Sequence, residues 1–433
     1  MIEKQACPRS ARQSRRPTQA SQPRQGAETV GMKPVSIWLV MLALLGTHMA
    51  GMGAFLTVPV LATKIAAETG LAASLAGVHT ALVYAGALLS GPFTQGFLAR
   101  FGGIRVCQVG LCVIALALAV ATIGHPLALL VSALLAGVGH APITPAGSHL
   151  LFARTPPHRR SLIFGLKQTG VPAGAMLVAG LAPLAALALG WRGGVLAMAV
   201  FSLMLAAALQ PLRAELDADR GHGTAASPLA DAARSLGLLA SQPRLRALTM
   251  MACGYGVAQF CFGSFFVVWQ VEVLGWGLAE AGLYLAIAQA SGVLGRIAWA
   301  VLADRLGAQP VLSALGIGLV LAAIALALAG PGWPPALIIA AGMMMGATAV
   351  GWNGVLLAEV ARVAPAGQVG GATAALGVAF GATMVVMPSL FTLLVATTGS
   401  YTPGFLMCAL TGCLGLLSLT RVGRGAAPPP PRA

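Results

Sequence analysis

The chain has 433 residues, 58% of them hydrophobic and only 9% charged, with a mean hydropathy of +0.85. An ordinary soluble domain carries about a quarter charged residues, so that class is excluded. The formal net charge of +15 would point to nucleic acid in a soluble protein, but here the basic residues flank long apolar runs, where they set membrane topology.

Residues 1–33 are rich in Arg, Gln and Pro and lack the small-residue cleavage signature of a signal peptide. They are predicted to form a disordered basic arm. A bilayer core of about 30 Å needs about 20 apolar residues per helix, so charge-free intervals can be read as spans. The intervals 34–63 and 69–99 give one each. The interval 106–153 is long enough for two, and "TIGHP" at 122–126 divides it, because Gly and Pro break helices. The intervals 161–191 and 193–212 complete a first set of six, with one lysine embedded in the former.

The segment 212–246 concentrates five arginines and four acids and is read as a linker. Beyond it, 247–271 and 278–303 supply single spans. The runs 306–358 and 363–420 supply two each, divided at "AGPGWPP" (329–335) and "TTGSYTP" (397–403), and a Pro-rich tail, 423–433, follows. Transmembrane strands would alternate apolar and polar residues over about ten positions, which these continuous tracts do not. The expectation is an all-α integral membrane protein of twelve transmembrane helices in two six-helix halves, 34–211 and 247–422.

With odd-numbered turns placed outside, every Lys and Arg lies on the inner side except Lys64 and Arg192, which are outside, and Lys167 and Arg296, which are within spans. The positive-inside rule then puts both termini in the cytoplasm of an inner-membrane protein. The seven cysteines are an odd number and six lie in or at apolar spans, so no disulfide framework is implied. No P-loop, metal-ligand cluster or carboxylate dyad appears in a span. Neither a cofactor nor an enzyme activity is therefore expected.

The two halves echo each other. "GFLARFGG" at 96–103 matches "AVLADRLGA" at 300–308, and "ARTPPHRR" at 153–160 aligns with "ARVAPAGQ" at 361–368, at offsets of 204 to 208 residues. In helix count, charge placement, central linker and this duplicated loop the chain resembles the major facilitator superfamily over residues 34 to 422. The resemblance implies parallel six-helix repeats that rock about a substrate site near the midplane. It also implies a latch at the inner helix ends built on Asp304 and Arg305. The first loop copy lacks the Asp, so Arg100 and Arg105 either serve topology alone or pair with another acid. "GVPAG" at 170–174 is too far from the antiporter signature of helix 5 to assign antiport.

Ionisable residues inside the hydrocarbon are costly and are read first as functional candidates. Lys167 and Arg296 both sit about 10–12 Å from the inner ends of their helices. In the resembled fold helices 5 and 8 face one another, which sets the two cations beside one cavity and favours an anion. Gln168 adjoins Lys167, and Gln289 shares a helix face with Arg296, so all four are expected to bind substrate. The alternative for both cations is snorkelling to the headgroups.

Asn353, the only Asn, and Trp352 lie in "GWNG" at 351–354. Each has a substrate reading and a bland one, polar glue between helices for Asn353 and packing for Trp352. No Asp or Glu occupies the centre of the cavity helices, which disfavours a cationic cargo. His140 and His48 are the midspan groups able to carry a coupling proton, against the alternative of neutral rings bonded to backbone.

The expected function is a monomeric secondary transporter for a small organic anion, a carboxylate, working by alternating access with proton coupling. Efflux of hydrophobic or neutral drugs and a non-transporting membrane sensor are the alternatives. The partners implied are a small-molecule substrate and the lipid bilayer, and no nucleic acid.

Overall fold

The structure, a computed structural model, describes residues 35–152, 154–156, 160–218, 220, 228–365 and 368–423. The arm expected at 1–33, nearly all of the tail at 423–433 and the middle of segment 212–246 lie outside the described residues.

In the first half α1 is Ile37–Val60, α2 Ala62–Thr69, α3 Ala76–Ser90, α4 Thr94–Phe101, α5 Gly103–Ala121, α6 Pro126–His140, α7 Ile143–Phe152, α8 Arg160–Gln168 and α9 Gly170–Ala208. Two short helices follow, α10 (Arg213–Leu216) and α11 (Pro228–Ser241). The second half holds α12 Pro243–Val273, α13 Leu278–Leu306, α14 Ala308–Leu328, α15 Pro335–Ala349, α16 Asn353–Val363, α17 Val369–Thr398 and α18 Thr402–Gly423.

Local chemistry sets many of these boundaries. The Ser36 hydroxyl accepts from the Trp38 N–H at the start of α1. Pro126, Pro243 and Pro335 each stand at the first helical position, where their missing N–H costs nothing and their φ is already helical. Gly70 and Gly399 close α2 and α17 in the left-handed conformation.

Eleven helical stretches are long and apolar enough to cross a membrane. One of them, Gly165–Leu216, has 52 residues, about 78 Å at 1.5 Å per residue, more than twice the hydrocarbon thickness. It turns at Gly190, whose φ of 71° and ψ of 166° are not helical. It therefore holds two passes, which makes twelve among the described residues. Leucines such as Leu42, Leu89, Leu294 and Leu328 are more than 60% exposed, as on a surface solvated by lipid.

The packing repeats. α3 packs on α6, α5 on α6 and α5 on α9; in the second half α13 packs on α15, α14 on α15 and α14 on α18. Between the halves α9 packs on α13, α3 on α17 and α1 on α12. Gly102 and Gly307, 205 positions apart, enter α5 and α14 with φ of 84° and 88°, so the duplicated loop has one backbone shape twice.

Close helix approach at two related glycines gives a direct test. A methyl group on Gly137 would collide with the Val83 carbonyl, and one on Gly346 with the Ala288 carbonyl. Gly137→Ala and Gly346→Ala are each expected to cost about 1–3 kcal/mol by forcing the pair apart. Gly354, with no neighbouring atom in reach, should accept Ala with no loss. Thermal unfolding in detergent measures all three.

Candidate functional site

Four broken passes bring backbone and polar side chains together inside the bundle. α6 ends at His140 and α7 begins at Ile143; α8 ends at Gln168 and α9 begins at Gly170; α15 ends at Ala349 and α16 begins at Asn353. Each break frees carbonyls from the helical ladder. The fourth is α1, which runs on into α2 through Leu61.

Lys167 is 1% exposed. Its Nζ donates to Ser148 Oγ at 2.8 Å and to the Thr144 carbonyl at 3.3 Å. His48, on α1 and equally buried, places Nδ1 2.9 Å from the Leu44 carbonyl and Nε2 3.4 Å from Thr144 Oγ1. A carbonyl only accepts, so Nδ1 carries the proton and the Thr144 hydroxyl donates to Nε2. Thr144 thus joins the histidine to the lysine. His140 donates from Nδ1 to the Gly51 carbonyl at 3.2 Å and sets its ring edge-on to Phe55, centroids 4.7 Å apart.

Arg296 comes from α13 in the other half and is 8% exposed. Its Nε donates to the Val350 carbonyl at 2.9 Å and its Nη1 to the Gln168 carbonyl at 2.5 Å. Both acceptors belong to helix breaks, and no described carboxylate pairs with it. The Gln168 side-chain oxygen is buried without a hydrogen bond.

Above this polar cluster lies a set of rings from both halves. Phe55 and Phe260 have centroids 5.7 Å apart, Phe55 and Tyr84 5.0 Å, Tyr84 and Phe260 5.0 Å, and Phe260 and Phe380 6.1 Å. Further toward the end of the bundle where α1 finishes, the halves are tied together. Thr80 Oγ1 bonds Ser264 Oγ at 2.7 Å and the Thr392 hydroxyl donates to the Ser74 carbonyl at 2.7 Å; beside them, within the second half, Phe265 stacks on Phe391 at 3.9 Å.

The opposite end, where α1 begins, is held by three acids, of which Asp217 and Glu359 are buried and Glu215 half-buried. Glu215 accepts from the Val35 N–H at 3.0 and 3.1 Å. Asp217, 0% exposed, accepts from the N–H groups of Ile104 at 2.8 Å and Arg105 at 3.0 Å. It thereby caps α5, where the helix dipole favours a negative charge. Glu359 accepts from Arg244 at 3.0 Å and from two nitrogens of Arg362 at 2.8 and 2.6 Å.

The sequence profile of the Major Facilitator Superfamily matches residues 43–361, nearly three quarters of the chain. The chain belongs to the major facilitator superfamily.

Two curated relatives, uncharacterised MFS-type transporters from two strains of Mycobacterium tuberculosis, are 30% identical over 246 residues, covering 53% of this chain. The chain spans about half the length of these relatives, 52%. A crystal structure of a point mutant of the nucleoside transporter NupG superposes with a TM-score of 0.73 at 12% identity, covering 89% of this chain and 99% of that one. That likeness is one of fold.

Within this superfamily fold the sequence-selected residues separate into groups. Lys167 and His48 meet at Thr144, Arg296 reaches the Gln168 carbonyl next along the chain from Lys167, and His140 reaches α1 one turn from His48, at the Gly51 carbonyl. Gln289 is 4% exposed and makes no side-chain hydrogen bond to a described residue. Asn353 lies apart, its Nδ2 3.4 Å from Gln259 Oε1, tying α16 to α12. Trp352, 1% exposed, donates from Nε1 to the Ala349 carbonyl at 2.8 Å and packs its ring near Tyr255 and Phe380.

At the loops, Asp304 and Arg305 are exposed and pair with no described residue. Arg100 is exposed with its guanidinium 5.2 Å from the Phe101 ring. Arg105 contributes its backbone N–H to Asp217.

Sequence reasoning missed the rings and Asp217. Phe55 and Phe260 are 205 positions apart, the same offset as Gly102 and Gly307, so superposing the repeats residue by residue was a signal for the first pair. Asp217 has one local partner, Arg213 at 3.8 Å, but the N–H groups it caps lie more than a hundred residues away, so its capping role carries no local signal.

Proposed function

We propose that the chain is a secondary active transporter that moves a small organic anion, a carboxylate, by alternating access. The observation that carries this reading is Arg296, a guanidinium buried between the halves whose bonds go to two backbone carbonyls and to no described carboxylate. A buried cation held by neutral dipoles is costly, and an anion entering between Arg296 and Lys167 would offset that cost. The guanidinium fork also suits carboxylate geometry. Because Arg296 bridges to a carbonyl of the other half, its contacts must change when the halves rock, which is the differential binding that alternating access requires.

The ties at Thr80 and Thr392 close the end remote from α10 in this reading, so the substrate enters from the end where Asp217 and Glu359 sit. In our reading that end faces the cytoplasm, both termini lie there, the membrane is the inner membrane and the monomer is the working unit. Asp217 takes the role that the missing loop Asp would have had beside Arg100 and Arg105, and Asp304 with Arg305 engages in the other access state.

Uptake of a labelled monocarboxylate panel into proteoliposomes tests the proposal, with a nucleoside, the cargo named for NupG, in the same panel. The rings of Phe55, Tyr84, Phe260 and Phe380 favour a second reading, export of neutral hydrophobic compounds. That reading gains if such compounds move and no anion does. Absence of any flux would leave a membrane sensor.

For coupling, His140 and His48 are the proposed proton carriers. His140→Asn is expected to uncouple uptake from an imposed pH gradient while leaving exchange of labelled for unlabelled substrate intact. Accumulation that still follows the gradient in the variant removes His140 from the proton path.

A further inference from the structure

α11 lies along α12 and α17, and beneath it a groove of about 640 Å³ opens sideways between α12, α17 and α18. Leu236 and Leu239 roof it; Met250, Val257, Met387 and Leu414 form its walls. Met250 and Leu414 are each 54% exposed, so the groove faces the lipid and is separate from the Lys167 and Arg296 cluster.

Three threonines line it, and each has already given its hydroxyl proton to its own helix, which leaves no hydroxyl donor for an anionic head inside the groove. Thr249 donates to the Leu245 carbonyl at 2.9 Å, Thr383 to Ala379 at 2.9 Å and Thr411 to Cys408 at 3.1 Å. The wall is therefore mainly apolar and offers an anion no threonine hydroxyl donor. The groove has one charged lining residue, Arg246, and it stands at the mouth, three residues from the start of α12. It is exposed, and its one side-chain hydrogen bond among the described residues is to the Ala240 carbonyl, at 3.5 Å. Its neighbour Arg244 is already committed to Glu359.

From Arg246 to Val257 is about 16 Å along the helix, close to the depth of one leaflet of a ~30 Å core. An occupant must then have an apolar tail of leaflet length and an anionic head at the interface. We infer that this groove binds one anionic phospholipid, with an acyl chain under α11 and the phosphate on the Arg246 guanidinium. Arg forks match phosphate bidentately, and basic pockets between membrane helices hold anionic headgroups. The lipid would fasten α11 to α12 and α17.

The test uses the full-length chain in mild detergent, with phosphatidylglycerol or phosphatidylcholine carrying the same photoreactive acyl chain. Adducts are mapped by peptide mass spectrometry. Phosphatidylglycerol is expected to label 246–257 and 379–387 about fivefold more than phosphatidylcholine. Arg246→Gln should make the two lipids equal, and Met250→Trp, which fills the groove from an exposed position, should reduce labelling by both without lowering the unfolding temperature. Labelling spread evenly around the lipid-facing belt, equal labelling by the two lipids in the unaltered chain, or a preference that survives Arg246→Gln would each overturn the assignment.

Discussion

Arg296→Gln is expected to reduce carboxylate uptake by at least about 30-fold, with the chain still folded. Removing one partner from a buried, hydrogen-bonded charge pair costs about 2–5 kcal/mol, and each 1.4 kcal/mol is about tenfold. The glutamine amide can still donate to one of the carbonyls of Val350 and Gln168 that Arg296 now serves, but it brings no charge to the substrate. Stability should change little, because a buried cation is expensive to hold and a neutral group in its place is often tolerated. Arg296→Lys should fall between, since an ammonium restores the charge without the fork. Initial uptake rates in proteoliposomes, read beside thermal unfolding, check this; unchanged uptake of every carboxylate that the protein moves would sink the anion site.

The second large effect is expected at Asp217. Its carboxylate is fully buried and is the cap for two N–H groups at the start of α5. In Asp217→Ala both donors lose their partner, and each buried unsatisfied group costs about 1–3 kcal/mol. A drop of about 2–4 kcal/mol follows, since caps alone contribute up to about 2 kcal/mol. Asp217→Asn keeps one acceptor and should lose less. Gly102→Ala should be comparably damaging without touching the acid, for two reasons. Gly102 has a φ of 84°, which only glycine adopts freely, and its added methyl would meet the Asp217 carboxyl group. Thermal unfolding of the three variants in detergent measures the order. An Asp217→Ala variant as stable as the parent would show that α5 needs no cap.

The twelve passes were legible because hydropathy and helix breaking are local properties. Each of the three double intervals divides where its turn residues predict: α5 stops at Ala121 before Pro126, α14 at Leu328 before Pro335, and α17 at Thr398 before Thr402. The eleven apolar stretches become twelve at Gly190 because a positive φ there breaks one long run. The duplicated loop was equally readable, and its two glycines share one backbone conformation.

The site was legible only in its charges. Lys167 and Arg296 are conspicuous because a bilayer interior punishes them, and the sequence could set their depth. Which atoms they touch was out of reach, since the Gln168 carbonyl lies 128 residues from Arg296. The same distance hid the ring contact between Phe55 and Phe260, and it let Trp352 keep a substrate reading that its hydrogen bond to Ala349 now weighs against.

By itself, then, the sequence determined that this chain crosses a membrane twelve times, where it turns, that its halves are copies, and that two cations lie within the hydrocarbon. Those features follow from solvent transfer and backbone sterics, which act residue by residue. Only the tertiary structure decided that two helix breaks, at Gln168 and Val350, supply the carbonyls holding Arg296 and that an acid from α10's end caps a helix over a hundred residues earlier. It also decided that two hydrogen bonds join the halves near the end where α1 finishes. Each depends on which helices pack together, and in a bilayer small residues and shape set that packing rather than any pattern visible along the chain.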